Sequence, residues 1–416
     1  MTKLLISVSC IWLALLLCLG LASCTLQVHA ENLAEGYSRQ TDDAGAVTED
    51  GSRALIDYSF DLFRKTGGEH LNAGKNELLS PLSAAAVLAM IANGAEGETL
   101  AQLETLLGAD RDALNRYYYA FFGGLSSTDK CKVTYADSVW FREGQINVRP
   151  EFLQANADWF GADAYAAPFD ASTVKDINTW VKKNTDGMID SIIDSIEADS
   201  VMYLINTLVF DAKWETLYEK NQISDGEFTS SDGIRRTVTY LSSTENKYLS
   251  GDGFVGFAKN YDGGKYSFCA LLPDEGTEIG EFVASLSGEK FLDAWQGKTS
   301  ERVLVRLPEF KFEGGGELND ALKSLGVTDL FAPGIADLSG IDTVGRLYCA
   351  KIAQKTVIDV SRNGTKAAAV TWGDMKAESA PVESVRKVYL TRPFVFAIVD
   401  NATGVPLFLG AVTRLG

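Results

Sequence analysis

Apolar residues along the chain change period several times, and the changes mark out elements. Leu55, Tyr58 and Leu62 recur at helical spacing across Ala54–Arg64. Ser80-Pro81-Leu82-Ser83 reads as a helix start, with proline in the first turn where its missing N–H costs least. That helix continues through Ala84-Ala85-Ala86-Val87-Leu88-Ala89-Met90-Ile91. Further helical patterns cover Val174–Thr185 and Leu318–Leu325. Strand-like runs lie at Val133–Phe141, Met202–Phe210, Ser267–Leu272, Val303–Leu307, Val357–Val360, Phe394–Val399 and Pro406–Leu409. Helices early and strands late predict an α+β domain rather than regular βαβ alternation. No internal repeat and no Pro/Gly/Ser-rich boundary divides the chain after Ser52.

One stretch fits neither period. Gly364-Thr365-Lys366-Ala367-Ala368-Ala369-Val370-Thr371 has no large apolar stripe for a helix core and lacks the Gly/Ser bias of a linker. Small, β-compatible side chains suit a segment that slides between other strands. In a strand, alternate residues face opposite sides. Thr365, Ala367, Ala369, Thr371, Gly373 and Met375 would then point inward without a charge, while Lys366, Ala368, Val370, Trp372, Asp374 and Lys376 point outward. Proline is absent from Gly364 to Ala380, as a central strand requires.

The N-terminus changes the picture of where the chain works. Lys3 precedes an apolar run from Leu4 to Leu21, the length of a signal h-region. Leu21-Ala22-Ser23-Cys24 matches a lipobox, with Cys24 as the acylated residue. Val28-His29-Ala30 is a competing signal-peptidase site that would give a freely secreted product. The expected organisation is a lipoprotein-type signal over 1–23, a flexible polar tether over 24–51 and a folded domain over 52–416. The protein is thus expected outside the cytoplasm, reaching the membrane only through an N-terminal lipid. Cys131, Cys269 and Cys349 remain in the body, an odd number without CxxC spacing, and read as buried small hydrophobes.

Over 416 residues, 46% hydrophobic and 23% charged content are those of an ordinary folded chain. A formal net charge of −18 argues against nucleic acid, heparin-like polymers and anionic lipid as partners. Enzymatic chemistry lacks its parts. Only His29 and His70 are present, the first in the leader or tether and the second in an expected loop. A Ser–His–acid or Cys–His relay needs an imidazole within the body. No HExxH and no Cys/His pair at ligand spacing suggests zinc. Gly251, Gly253 and Gly256 match a dinucleotide fingerprint in form, but the strand-like Phe254-Val255-Gly256-Phe257 that follows makes them turn residues. Gly314-Gly315-Gly316 lacks a phosphate loop's Lys-Ser/Thr and reads as a loop. Asp190 and Asp194, four apart on a helix-like run, read as a solvated face.

Several collinear stretches from about residue 52 to 416 together resemble the serpins, serine protease inhibitors that trap their targets. They are Asn76-Glu77-Leu78-Leu79-Ser80-Pro81-Leu82-Ser83, Tyr165–Phe169 with Ile177-Asn178-Thr179-Trp180-Val181, and Leu204–Phe210 running on through Lys213-Trp214-Glu215. Leu307-Pro308-Glu309-Phe310, Ala336-Asp337-Leu338-Ser339-Gly340, Arg392-Pro393-Phe394-Val395-Phe396 and Pro406-Leu407-Phe408-Leu409-Gly410 complete the set.

The resemblance implies three β-sheets, roughly eight or nine helices and an exposed reactive loop over about 361–388. It implies a monomer without cofactor, metal or catalytic residues, acting on extracellular serine proteases, with cysteine proteases as a secondary class. The protease attacks the loop and forms an acyl-enzyme; the cut loop then inserts as a central strand, an example of strand addition and released strain. Carried over, Gly364, Thr365, Ala367, Ala368, Ala369 and Thr371 form the hinge. Asn206 occupies the family's buried shutter, Gln354 stands where a His is usual, and Ser80 and Ser83 complete that cluster. Gln354 both donates and accepts, giving a pH-insensitive bond. Trp214 lies where the loop first enters the sheet. Ser361-Arg362-Asn363 and Lys366 replace acidic residues usual around the hinge, which implies altered timing of insertion. Loop length puts the scissile bond at Glu378-Ser379, with Ala377 or Lys376 as the alternatives on a slip of one or two residues. A non-inhibitory member, acting as a binding or structural protein, is the alternative function.

Overall fold

A computed structural model describes residues 26–197, 200–342, 347–365 and 385–416. Its centre is the Pro81–Ala92 helix, which starts with proline at its first turn as expected; every one of its residues is buried. Five alanines give it a narrow girth, so other elements can approach it closely on more than one side.

The described residues form three sheets, two of which pack on this helix. A six-stranded sheet runs in the order Glu77–Leu79, Pro406–Val412, Phe394–Asp400, Tyr266–Pro273, Phe254–Asn260 and Tyr248–Gly251. A four-stranded sheet orders Arg386–Tyr389, Val303–Pro308, Arg235–Glu245 and Ile223–Thr229. The main sheet has eight strands, including a two-residue one at Ser127–Thr128 on its Cys131–Arg142 neighbour. Across it the order is Glu31–Asn32, Asp163–Ala167, Cys131–Arg142, Met202–Lys213, Gly364–Thr365, Ala353–Ser361 and Phe310–Glu317.

Both faces of the main sheet are covered, which is why Met202–Phe210 is apolar almost without interruption. Leu204, Leu208 and Phe210 face the main core. Tyr203 and Ile205 face a second cluster with Trp140, Tyr165, Ile177 and Trp180 under the Ala171–Asn184 helix. That helix starts at a capping box between Asp170 and Thr173, and the Trp180 indole N–H donates to Asp163 at 2.7 Å.

Several local expectations change. The first helix runs over Glu49–Asn72, through Gly67-Gly68, so His70 sits in its last turn instead of a loop. The interior Gly67 allows close packing, since a Cβ there would meet Leu71 at 3.1 Å. His70 Nδ1 contacts the Glu77 carboxylate at 2.6 Å. Gly314-Gly315-Gly316 belong to the Phe310–Glu317 strand; a Cβ on Gly314 would strike Leu78 at 2.5 Å and one on Gly315 the Gln354 carbonyl at 2.2 Å. The run carrying Asp190 and Asp194 is not helical, and Asp190 pairs with Lys182 at 2.8 Å. Gly253, with φ of 82°, makes the expected turn between Tyr248–Gly251 and Phe254–Asn260.

From residue 26 the segment expected as a tether is laid on the body. Glu31–Asn32 adds to the sheet edge beside Tyr165 and Ala166, covering backbone groups an edge strand would otherwise expose. The Arg39 guanidinium lies 3.5 Å from the Tyr119 ring centroid and 5.4 Å from that of Trp159. Cys131, Cys269 and Cys349 are free and buried, and burial pushes the Cys269 and Cys349 thiols up to about 12, leaving them unreactive at neutral pH.

Candidate functional site: a half-filled slot in the main sheet

The chain turns at the end of the Ala353–Ser361 strand, and Gly364–Thr365 then enters the sheet. These two residues pair antiparallel with that strand and with Met202–Lys213. Thr365 stands opposite Val360 on one side and Ala212 on the other. Only glycine suits position 364: its φ is +143°, and a Cβ would lie 2.0 Å from the Ala212 carbonyl oxygen.

Beyond Thr365, among the described residues, the Met202–Lys213 and Ala353–Ser361 strands share no ladder. The slot between them is marked by two cavities. One of about 230 Å³ lies beside Thr365, lined by Phe210, Val357 and Asp359. The other, of about 500 Å³, is lower, with Tyr203, Leu204 and Ile205 facing Ala353, Gln354 and Lys355. Thr365 is 3% exposed and aligned with core residues Ala212 and Val360, the inward parity expected for it.

Around the mouth, side chains grip the turn. The Trp214 indole N–H donates to the Ser361 carbonyl at 2.8 Å and its backbone N–H to Asn363 at 3.2 Å. The Tyr261 ring stacks on Trp214, with centroids 4.6 Å apart at 11°. Lys259, 4% exposed, pairs with Glu245 at 2.9 Å and lies 4.7 Å from the Tyr218 ring centroid. Trp214 therefore lies against the turn that precedes Gly364.

Arg362, a departure from the family pattern, has a partner sequence reading did not foresee. Its backbone N–H and its Nε donate to Glu309 Oε1 at 2.8 and 3.0 Å, and Nη2 donates to Oε2 at 2.9 Å. This fork is a bidentate guanidinium–carboxylate pair, the geometry that makes surface pairs count. Arg362→Ala is expected to loosen the turn by about 1 kcal/mol, visible as faster amide exchange over 361–365. Arg362→Glu with Glu309→Arg should recover most of the loss, and each reversal alone should not.

The shutter residues separate into two pairs. Gln354 Oε1 accepts from the Ser80 backbone N–H at 2.7 Å, and its Nε2 donates to the Ser80 carbonyl at 2.8 Å. The Ser80 hydroxyl donates to Leu407 O at 2.9 Å, and Ser83 is buried in the same helix. Asn206 does not join them. Its Nδ2 donates to Asp137 Oδ1 at 2.6 Å, from the directly opposite position on the neighbouring strand. Asp137 is 2% exposed, and its Oδ2 and the Asn206 Oδ1 are both buried without a hydrogen-bond partner among the described residues. Burial pushes the Asp137 carboxyl well above the usual carboxylate range, opposed in part by the Asn206 hydrogen bond, favouring the neutral acid. Asp137 escaped sequence reading because one Asp in a strand carries no signal of its cross-strand partner.

Of the remaining expected site residues, Ala367, Ala368, Ala369 and Thr371 of the hinge lie outside the described residues. So do Lys376, Ala377, Glu378 and Ser379 at the reactive bond, and Cys24.

Among the described residues, the mixed α/β body has a main sheet whose two central strands are bridged only by Gly364–Thr365. The sequence model described as Serpin (serine protease inhibitor) matches residues 53–415. Human Serpin B11 is 30% identical over 86% of this chain and 98% of its own. The leukocyte elastase inhibitor of Bos taurus is 31% identical over 87% of this chain and 98% of its own. The crystal structure of the thermophilic serpin tengpin in its native state superposes with a TM-score of 0.89 at 42% identity, covering 93% of this chain and all of that one. Tengpin in its latent state gives 0.78 at 40% identity, over 91% of this chain and all of that one. The chain belongs to the serpin family.

Proposed function

We propose that the protein inhibits serine proteases as a suicide substrate, trapping the acyl-enzyme when its cut loop zips into the slot. The observation carrying this reading is the Gly364–Thr365 pair, bonded on both sides between strands that have no ladder with each other below it. Each residue added to the loop strand steps back one residue along both antiparallel neighbours. Continued in that register from Ala212 and Val360, Thr371 reaches the level of Asn206 on one side and Gln354 on the other. Its hydroxyl would meet the Asn206 Oδ1, which has no partner among the described residues, so completing the strand would satisfy a buried acceptor.

The bait is assigned to Glu378-Ser379, with Ala377 or Lys376 on a shorter register, which favours glutamyl-specific, elastase-like or trypsin-like enzymes respectively. The name of the leukocyte elastase inhibitor supports the elastase-like class. Incubation with one protease of each type, followed by denaturing gels and mass spectrometry of the released fragment, tests the reading. A covalent complex with at least one protease, with cleavage at one of the three sites, is expected. Cleavage without a complex across the panel would favour a non-inhibitory binding role instead.

Cys24 is proposed as the lipid attachment site of an extracytoplasmic protein. Cys24→Ala is expected to release it from membranes or leave its leader uncut; unchanged retention and processing would refute the anchor.

A further inference from the structure

Thr365 is the first hydroxyl the loop brings into the sheet, and its partner is fixed before the loop arrives. Its oxygen lies 2.6 Å from the Tyr261 hydroxyl. Thr365 is 3% exposed and Tyr261 fully buried, so breaking that bond leaves both hydroxyls away from bulk solvent. The flanking residues at this level, Ala212 and Val360, offer no side-chain polar atom.

Tyr261 is held independently of the loop. It follows the Phe254–Asn260 strand of the second sheet, donates its backbone N–H to Tyr266 O at 3.0 Å and forms a β-bridge with Trp214. Its ring is stacked on Trp214 and set edge-on to Phe210, at 4.6 and 4.7 Å between centroids. Burial pushes the phenol further up from its ordinary range, so it remains an O–H.

We propose that Tyr261 is a positioning residue for loop insertion: a preformed receptor whose phenol hydrogen-bonds the Thr365 hydroxyl and holds the hinge paired in its starting register. The inference rests on the insertion reading for its consequence, but not for its geometry. A buried hydroxyl left without a partner is costly, so the pair selects a hydroxyl residue at 365 and keeps the first two residues seated. A seated hinge leaves the loop one residue after another to add, in place of a search for the slot.

The test is a double-mutant cycle on the full chain, read by amide hydrogen exchange over 361–365. Tyr261→Phe keeps the ring stack and removes one hydroxyl; Thr365→Val keeps the shape and removes the other. Each is expected to speed exchange about tenfold, the equivalent of 1.4 kcal/mol. The double variant should exchange at about the rate of either single one, because the bond is lost only once. Thr365→Ser should behave as the wild type. Single variants at the wild-type rate, or a double variant about a hundredfold faster, would overturn the latch.

Protease trapping measured on the same samples separates the two readings. Wild type that forms no complex while the cycle shows coupling removes the inhibitor function and leaves the latch. Wild type that traps proteases with no coupling in the cycle removes the latch alone. If both hold, Tyr261→Phe should divert a larger share of encounters into cleavage without trapping.

Discussion

Thr365→Arg is expected to convert the protein from an inhibitor into a substrate, cut at the same bond but releasing active protease. The Thr365 side chain faces the core at 3% exposure, between Ala212 and Val360, and hydrogen-bonds the Tyr261 hydroxyl. Asp359 lines the adjoining cavity but is already paired with Lys311 at 3.3 Å, and a buried charge without a partner of its own costs about 3–5 kcal/mol. Arginine remains charged at any working pH, so it cannot escape by losing its proton. Thr365 is already seated in the uncut protein, so the charge drives the hinge out, and re-seating it before the next residue can add slows insertion by roughly 10²- to 10³-fold or more. Deacylation is untouched and wins the race. The neighbouring Lys366 has the opposite parity, and Lys366→Glu should leave trapping in place. Gels of both variants with one susceptible protease decide it; persistent covalent complex with Thr365→Arg would contradict the assigned parity.

Asp137→Asn is expected to stabilise the native form at neutral pH, and by more as pH rises. The carboxyl is held above its ordinary value by burial. A group raised on folding binds its proton more tightly in the native state than in the unfolded chain. Native stability then falls as pH climbs from the unfolded value of about 3.9 toward the raised one, and the loss levels off above it. Within that window the loss is about 1.4 kcal/mol per pH unit. Asparagine carries no such proton, and keeps the size and an amide that still faces Asn206. The gap in unfolding midpoint between variant and wild type should therefore be larger at pH 8 than at pH 5. For a chain this long each kcal/mol is worth roughly 1–2 °C. An equal gap at both pH values would show that Asp137 does not titrate in this range.

Much of this site was legible in the chain itself, because it depends on local pattern. Thr365 inward and the glycine before it follow from the period of a strand and from the small residues around them. The start of the central helix follows from Ser80-Pro81. Misreadings occurred where tertiary contacts override local composition. Gly314-Gly315-Gly316 looks like a loop, yet Leu78 and Gln354 crowd the strand at Gly314 and Gly315, where a Cβ would not fit. Gly67-Gly68 suggests a break, yet the helix passes through to His70. The polar stretch before residue 49 suggests a tether, yet its backbone finds a sheet edge and its Arg39 two aromatic rings. The shutter was half legible. Ser80 and Gln354 meet, but Asp137, 69 residues away from Asn206 in sequence, becomes its partner only through strand pairing. Arg362 and Glu309 were visible as separate motif residues, and 53 residues apart nothing in the sequence joined them.

The central claim is that the cut loop becomes a strand between Met202–Lys213 and Ala353–Ser361, and one measurement addresses it without knowing the natural target. The loop is cut by any protease that cleaves between residues 376 and 379, the protease is removed, and the unfolding midpoint is compared with that of the uncut protein. Insertion would build two new ladders and fill the slot, so the cut protein should melt far above the intact one, with loss of exchange along both flanking strands. A cut protein that melts at or below the intact midpoint, with those strands exchanging as before, would contradict the account.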